Sequence, residues 1–91
     1  MKAEQLRDLR VALLRDLYRM KPLGRRAAVI YQLVRQEVDC EEADVAAQLA
    51  FLEGASLICH VNADELAPGL PPLWFITTAG MVHCEGKHLV P

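Results

Sequence analysis

The chain has 91 residues, more than half of them hydrophobic and only 5% aromatic, which describes one domain with a core of Leu, Val, Ile and Ala and excludes a disordered or collagen-like chain. So small a domain has little room for a buried active site, so a binding module with no cofactor and no small-molecule substrate is expected, not an enzyme. Its formal net charge of −2 hides an uneven distribution along the sequence.

Up to Arg35 the basic residues Lys2, Arg7, Arg10, Arg15, Arg19, Lys21, Arg25, Arg26 and Arg35 face only Glu4, Asp8 and Asp16. From Gln36 to Gly86 there is no Lys or Arg, and the acids Glu37, Asp39, Glu41, Glu42, Asp44, Glu53, Asp64, Glu65 and Glu85 fall there. The first third is cationic and the rest anionic. Apolar runs are far shorter than the roughly 20 residues of a membrane span. The chain is charged and polar through Arg10, unlike a secretory leader, so a cytoplasmic protein is expected. Cys40, Cys59 and Cys84 lack C-x-x-C spacing and do not suggest a disulfide framework.

Leu6, Leu9, Leu13, Leu17 and Met20 trace one stripe of a first helix over residues 3–20, widened by Leu14 and Tyr18, with Arg7, Arg15, Asp16 and Arg19 off it. Lys21-Pro22-Leu23-Gly24 breaks it. A second helix is expected over residues 25–38, with Ala27, Ile30, Val34 and Val38 inward. Asp39 followed by Glu42 resembles a capping box and starts a third helix over residues 40–53. In that helix Val45, Leu49 and Leu52 face inward with Ala46 beside them, while Ala43, Asp44, Ala47, Gln48 and Phe51 form the other face.

After Gly54, residues 57–62 and 73–77 read as two strands of a hairpin, joined by a loop punctuated by Pro68, Gly69, Pro71 and Pro72. Thr78 can cap a short helix over residues 78–85, and residues 86–91 form a tail. The expected fold is mainly α with a small β-hairpin, an α+β single domain over residues 1–91. Its core is Leu9, Leu13, Leu17, Ile30, Val34, Val45, Leu49 and Leu52.

Three helices and then a hairpin is the order of winged helix-turn-helix proteins, and three stretches carry a resemblance to that superfamily. They are Leu13-Leu14-Arg15-Asp16-Leu17-Tyr18 before Pro22-Leu23-Gly24, then Leu49-Ala50-Phe51-Leu52-Glu53-Gly54-Ala55-Ser56-Leu57-Ile58, and finally Leu73-Trp74-Phe75-Ile76-Thr77-Thr78-Ala79-Gly80. The resemblance implies a three-helix core, a two-stranded wing and a short C-terminal helical turn. It also implies a third helix that enters the DNA major groove and a wing that touches the backbone. Phosphate contact relies on Lys and Arg. This third helix has neither, and its first turn carries Glu41, Glu42 and Asp44.

Two readings follow. In the preferred one, Ala43, Asp44, Ala47, Gln48 and Phe51 form a surface for a protein partner or a second copy, in a bacterial or phage accessory protein. In the alternative, a DNA-binding transcriptional regulator presents Arg7, Arg10, Arg15, Arg25, Arg26 and Arg35 to DNA. Only Cys59-His60 and His83-Cys84, with His88 nearby, have metal-ligating potential. Neighbours on a strand point to opposite faces, so no metal is expected, Cys59 and Cys84 are expected in the core, and the histidines outside.

Overall fold

The computed structural model describes residues 1–64 and 67–91. Along the chain run α1 (Ala3–Met20), β1 (Arg25–Arg26), α2 (Ala27–Val34), α3 (Glu42–Gly54), β2 (Ile58–Val61), β3 (Leu73–Ile76) and α4 (Thr78–Gly86). The architecture is α+β, with helices packed against a three-stranded antiparallel sheet of order β1-β3-β2. Among the described residues no helix is long and apolar enough to cross a membrane.

The leucine period of α1 explains why this helix is central: it touches α2, α3, α4 and β3. Leu9, Leu13 and Leu17 are fully enclosed and meet Ile30 and Val34 of α2 and Val45, Leu49 and Leu52 of α3. Ile58, Ile76 and Cys84 close the same core from the sheet and α4. All eight core residues expected from the sequence are buried.

The sheet differs from the expected two-stranded hairpin. Arg25 lies opposite Trp74 and Arg26 opposite Leu73, while β2 pairs with β3 from Ile58↔Ile76 to Val61↔Leu73. The second helix therefore starts at Ala27, not residue 25, because Arg25 and Arg26 are drawn into strand pairing. Helical turns outlast α2, with the Val38 N–H donating to the Val34 carbonyl at 2.9 Å. At Gly24 a Cβ would lie 2.6 Å from the tip of the Phe75 ring, so the ring packs against the glycine backbone and would have to shift to admit a side chain there.

Helix ends also shift. The Glu41 N–H donates to the Asp44 carboxylate at 2.9 Å, so Glu41 and Asp44 do what Asp39 and Glu42 were expected to do, two residues later. Thr77, not Thr78, caps α4: its hydroxyl accepts from the Gly80 N–H at 3.0 Å and donates to the Ser56 carbonyl at 2.8 Å. The tail is held as well. Arg15 Nε donates to the Leu89 carbonyl at 2.6 Å, and Leu89 and Val90 pack on the core.

Asp16 was expected off the apolar stripe but is only 8% exposed. Its Oδ2 lies 3.5 Å from Arg25 Nε, an ion pair without hydrogen-bond geometry, and neither atom has a hydrogen-bond partner among the described residues. Burial pushes the Asp16 carboxyl above its ordinary value of 3.8, opposed by Arg25 and Arg19 and reinforced by Glu37. A raised folded-state value favours the protonated carboxyl, so this contribution to stability is present below 3.8 and is lost as pH rises through the folded-state value. Asp16→Asn is neutral throughout. Denaturant unfolding of both proteins between about pH 3.5 and 7 is expected to show the wild type losing ground to Asp16→Asn as pH rises. The opposite slope would mean that Arg25 outweighs burial.

Candidate functional site

The outward face of α3 is made of small residues. Ala43, Ala46, Ala47 and Ala50 are exposed, and Phe51 stands beside them at 51% exposure. Ala46 was expected on the inner face; it lies outside because Val45, Leu49 and Leu52 already fill the contact with α1. Leu70 is half-buried, and Leu66, which with Leu70 is the apolar part of the loop that could cover Phe51 instead, lies outside the described residues.

Gln48 corrects the sequence reading. It was expected on the outer face, but it is 9% exposed, and its Oε1 accepts from Arg10 Nε at 2.7 Å. The hydrogen bond satisfies the buried amide oxygen. It also steers the Arg10 guanidinium over the Phe51 ring, 3.8 Å from the centroid. Such a stack holds the ring in place and contributes about 0.5–1 kcal/mol at an exposed site. The interface candidates Ala43, Asp44, Ala47 and Phe51 thus share one surface, with Arg10 of α1 at its edge and Gln48 underneath. Nothing in the local sequence pattern links Arg10 to Phe51.

The candidate cations are dispersed. Arg10 is held by Gln48 and Phe51, Arg15 by Leu89 and Arg25 by Asp16. Arg35 is exposed 5.4 Å from the Tyr31 ring centroid, and Arg7 and Arg26 are exposed on α1 and β1. These six residues therefore lie on two elements, α1 and β1, and the turn after α2, not along one groove.

The Cys-His pairs are kept apart. Cys84 is fully enclosed, and its thiol is pushed up by burial, then by Glu85, against Lys21. Cys59, expected in the core, is exposed on β2 because Ile58 takes the inward position. Cys40 is half-buried, its thiol raised by burial and by Asp44, Asp39 and Glu41. Both shifts disfavour the reactive thiolate. Among the described residues no three of His, Cys, Asp and Glu gather to hold a metal ion.

His60 has a structural task. Glu53 Oε2 accepts its backbone N–H at 3.0 Å and lies 2.6 Å from its Nδ1, while the ring rests 4.9 Å from that of Trp74. Because β2 is a sheet edge, Glu53 blocks a backbone donor that a strand could otherwise recruit. The concavities are modest: an open groove of about 370 Å³ is lined by Met20, Gly24, Arg25, Arg26, Val29 and Leu73. A cleft of about 160 Å³ lies between α1 and the end of α2, by Asp16 and Glu37. Comparison with protein families, with curated proteins and with solved structures returned no match.

Proposed function

We propose that the protein is a small non-enzymatic winged-helix module that works by protein contact through the outer face of α3. The order α1, α2, α3 and then the β2–β3 hairpin supports the winged-helix reading, with β1 as a third strand beside the hairpin. The observation that carries the functional reading is the half-exposed Phe51 ring, fixed by Arg10 and flanked by alanines, on a helix with no Lys or Arg. A large apolar side chain among short ones suits a docking surface, and Glu41, Glu42 and Asp44 repel phosphate. This fits a cytoplasmic accessory or regulatory protein.

Phe51→Asp tests this reading. The new carboxylate would sit in solvent beside Arg10, so the domain is expected to stay folded, its melting temperature falling by at most about 8 °C through loss of the stack. Self-association or capture of the partner is expected to be lost. Unfolding by this substitution would show that Phe51 belongs to the core. The DNA reading is tested by Arg7→Glu with Arg26→Glu. Arg25 is unsuitable because its reversal would set two carboxylates together at Asp16. Tight binding to duplex DNA that this pair abolishes and Phe51→Asp leaves intact would overturn the protein-contact reading.

A further inference from the structure

We infer that the occupant of the α3 face is a second copy of this chain, docked antiparallel across a two-fold axis that passes beside Ala47. The inference rests on the protein-contact reading and adds the partner and its orientation. At 100° per residue, Ala43, Ala47, Ala50 and Gly54 lie along the outward line of α3, while Phe51 and Asp44 stand on the flank nearer α1. Seven residues, nearly two turns, separate Asp44 from Phe51, so the two project from the same side.

A two-fold contact must be self-complementary. If Ala47 meets its own copy in an antiparallel pair, position 43 falls opposite position 51 and position 44 opposite position 50. The Phe51 ring of one copy then lies on Ala43 of the other, where the methyl leaves room for it. The Arg10 guanidinium, seated over Phe51, is carried to Asp44 of the second copy. Within one chain Arg10 has no carboxylate partner among the described residues, where the carboxylates of Asp16 and Glu53 lie instead against Arg25 and His60. Asp44 accepts the Glu41 N–H through Oδ2 and has no cation either. The second copy therefore supplies the missing opposite charge to both residues.

Charge also selects the direction. A parallel pair would place both acidic first turns side by side and align the helix dipoles. An antiparallel pair separates the acids and opposes the dipoles. Glu53, which approaches Glu42 of the other copy along the far flank, has its Oε2 turned to the His60 backbone N–H and ring. The alanine line lets the helices approach to about 8 Å. A 13-residue helix is only about 20 Å long, so the contact belongs to the small, transient class of interfaces. Dimerisation with a Kd on the order of 10–100 μM is expected, weakened by salt that screens Arg10 from Asp44.

Sedimentation equilibrium from about 10 μM to about 1 mM, bracketing that Kd, tests the pairing with wild type, Arg10→Glu and Asp44→Lys, each first confirmed as folded by circular dichroism. Alone, each variant sets like charges against each other twice per dimer and is expected to associate at least about 10-fold more weakly. Mixed in equal amounts, they restore both attractions: Glu at position 10 faces Lys at position 44, and the native Arg10 faces the native Asp44. The mixture is expected to dimerise as wild type does. If either variant fails to fold, Ala47→Glu, which places a charge on the two-fold, is expected to leave only monomer. Wild type that stays monomeric throughout, variants that dimerise normally, or a mixture that gains nothing would overturn the inference. If wild type is monomeric yet Phe51→Asp abolishes binding to another protein, the antiparallel pairing fails while the protein-contact reading stands.

Discussion

Gly80→Ala is expected to destabilise the domain by about 3 kcal/mol, the upper end for overpacking, because the added methyl has nowhere to go. A Cβ at this position would lie 2.1 Å from the Leu57 carbonyl oxygen and 2.7 Å from Ile76 Cγ1. The carbonyl cannot simply turn away, since it accepts the Thr77 N–H at 3.1 Å. Its neighbour Ser56, held at a left-handed φ of 65°, accepts from the Thr77 hydroxyl. Two bonds thus fix the first turn of α4 against the α3–β2 junction, and a side chain at residue 80 pushes directly on the carbonyl that accepts one of them. For a domain of this size the melting temperature would fall by about 12–24 °C. Gly54→Ala is the contrast: nothing lies within 4 Å of its Cβ, so replacing glycine in a helix should stabilise by a few tenths of a kcal/mol to about 1 kcal/mol. Calorimetry showing equal effects at the two glycines would contradict the clamp.

Leu49→Ala is expected to cost about 3–4 kcal/mol, as large truncations in closed cores do. Leu49 is fully enclosed in the core that α3 shares with α1 and the sheet, so its removal leaves a cavity that the surrounding elements cannot readily collapse to fill. A domain of this length is stable by only about 5–14 kcal/mol, so roughly a fifth or more of the margin would vanish. Urea unfolding checks it through a lower midpoint at unchanged slope. A loss under about 1 kcal/mol would mean that α3 is not a wall of the core, and the opposite face would lose its claim to be the outer one.

The parts of this fold legible in the sequence are those where periodicity and residue type agree. Leu9, Leu13 and Leu17 repeat every four residues in a good helix former, and Val45, Leu49 and Leu52 answer them across the contact. Residues whose environment is tertiary were misplaced. Gln48 and Asp16 are polar, and polarity on a helix defaults to solvent; each is buried because an arginine from another element reaches it. Arg25 and Arg26 have no strand preference and pair only because β3 presents a free edge beside them. The alanines of α3 suit either face, so Ala46 could not be assigned. At the candidate site, the exposure of Phe51 followed from helical phase alone, whereas the guanidinium over its ring depends on how α1 crosses α3.

Backbone amide spectra recorded while the protein is concentrated, and then on addition of duplex DNA at low salt, distinguish self-association through α3 from DNA binding. Concentration-dependent shifts are expected at Arg10, Ala43, Asp44, Ala47 and Phe51, none at Arg26 or Val82, and no further change with DNA. Shifts absent from α3 up to about 1 mM, a limit that excludes a Kd tighter than the millimolar range, together with DNA-induced shifts at Arg7, Arg25 and Arg26, would contradict self-association through α3.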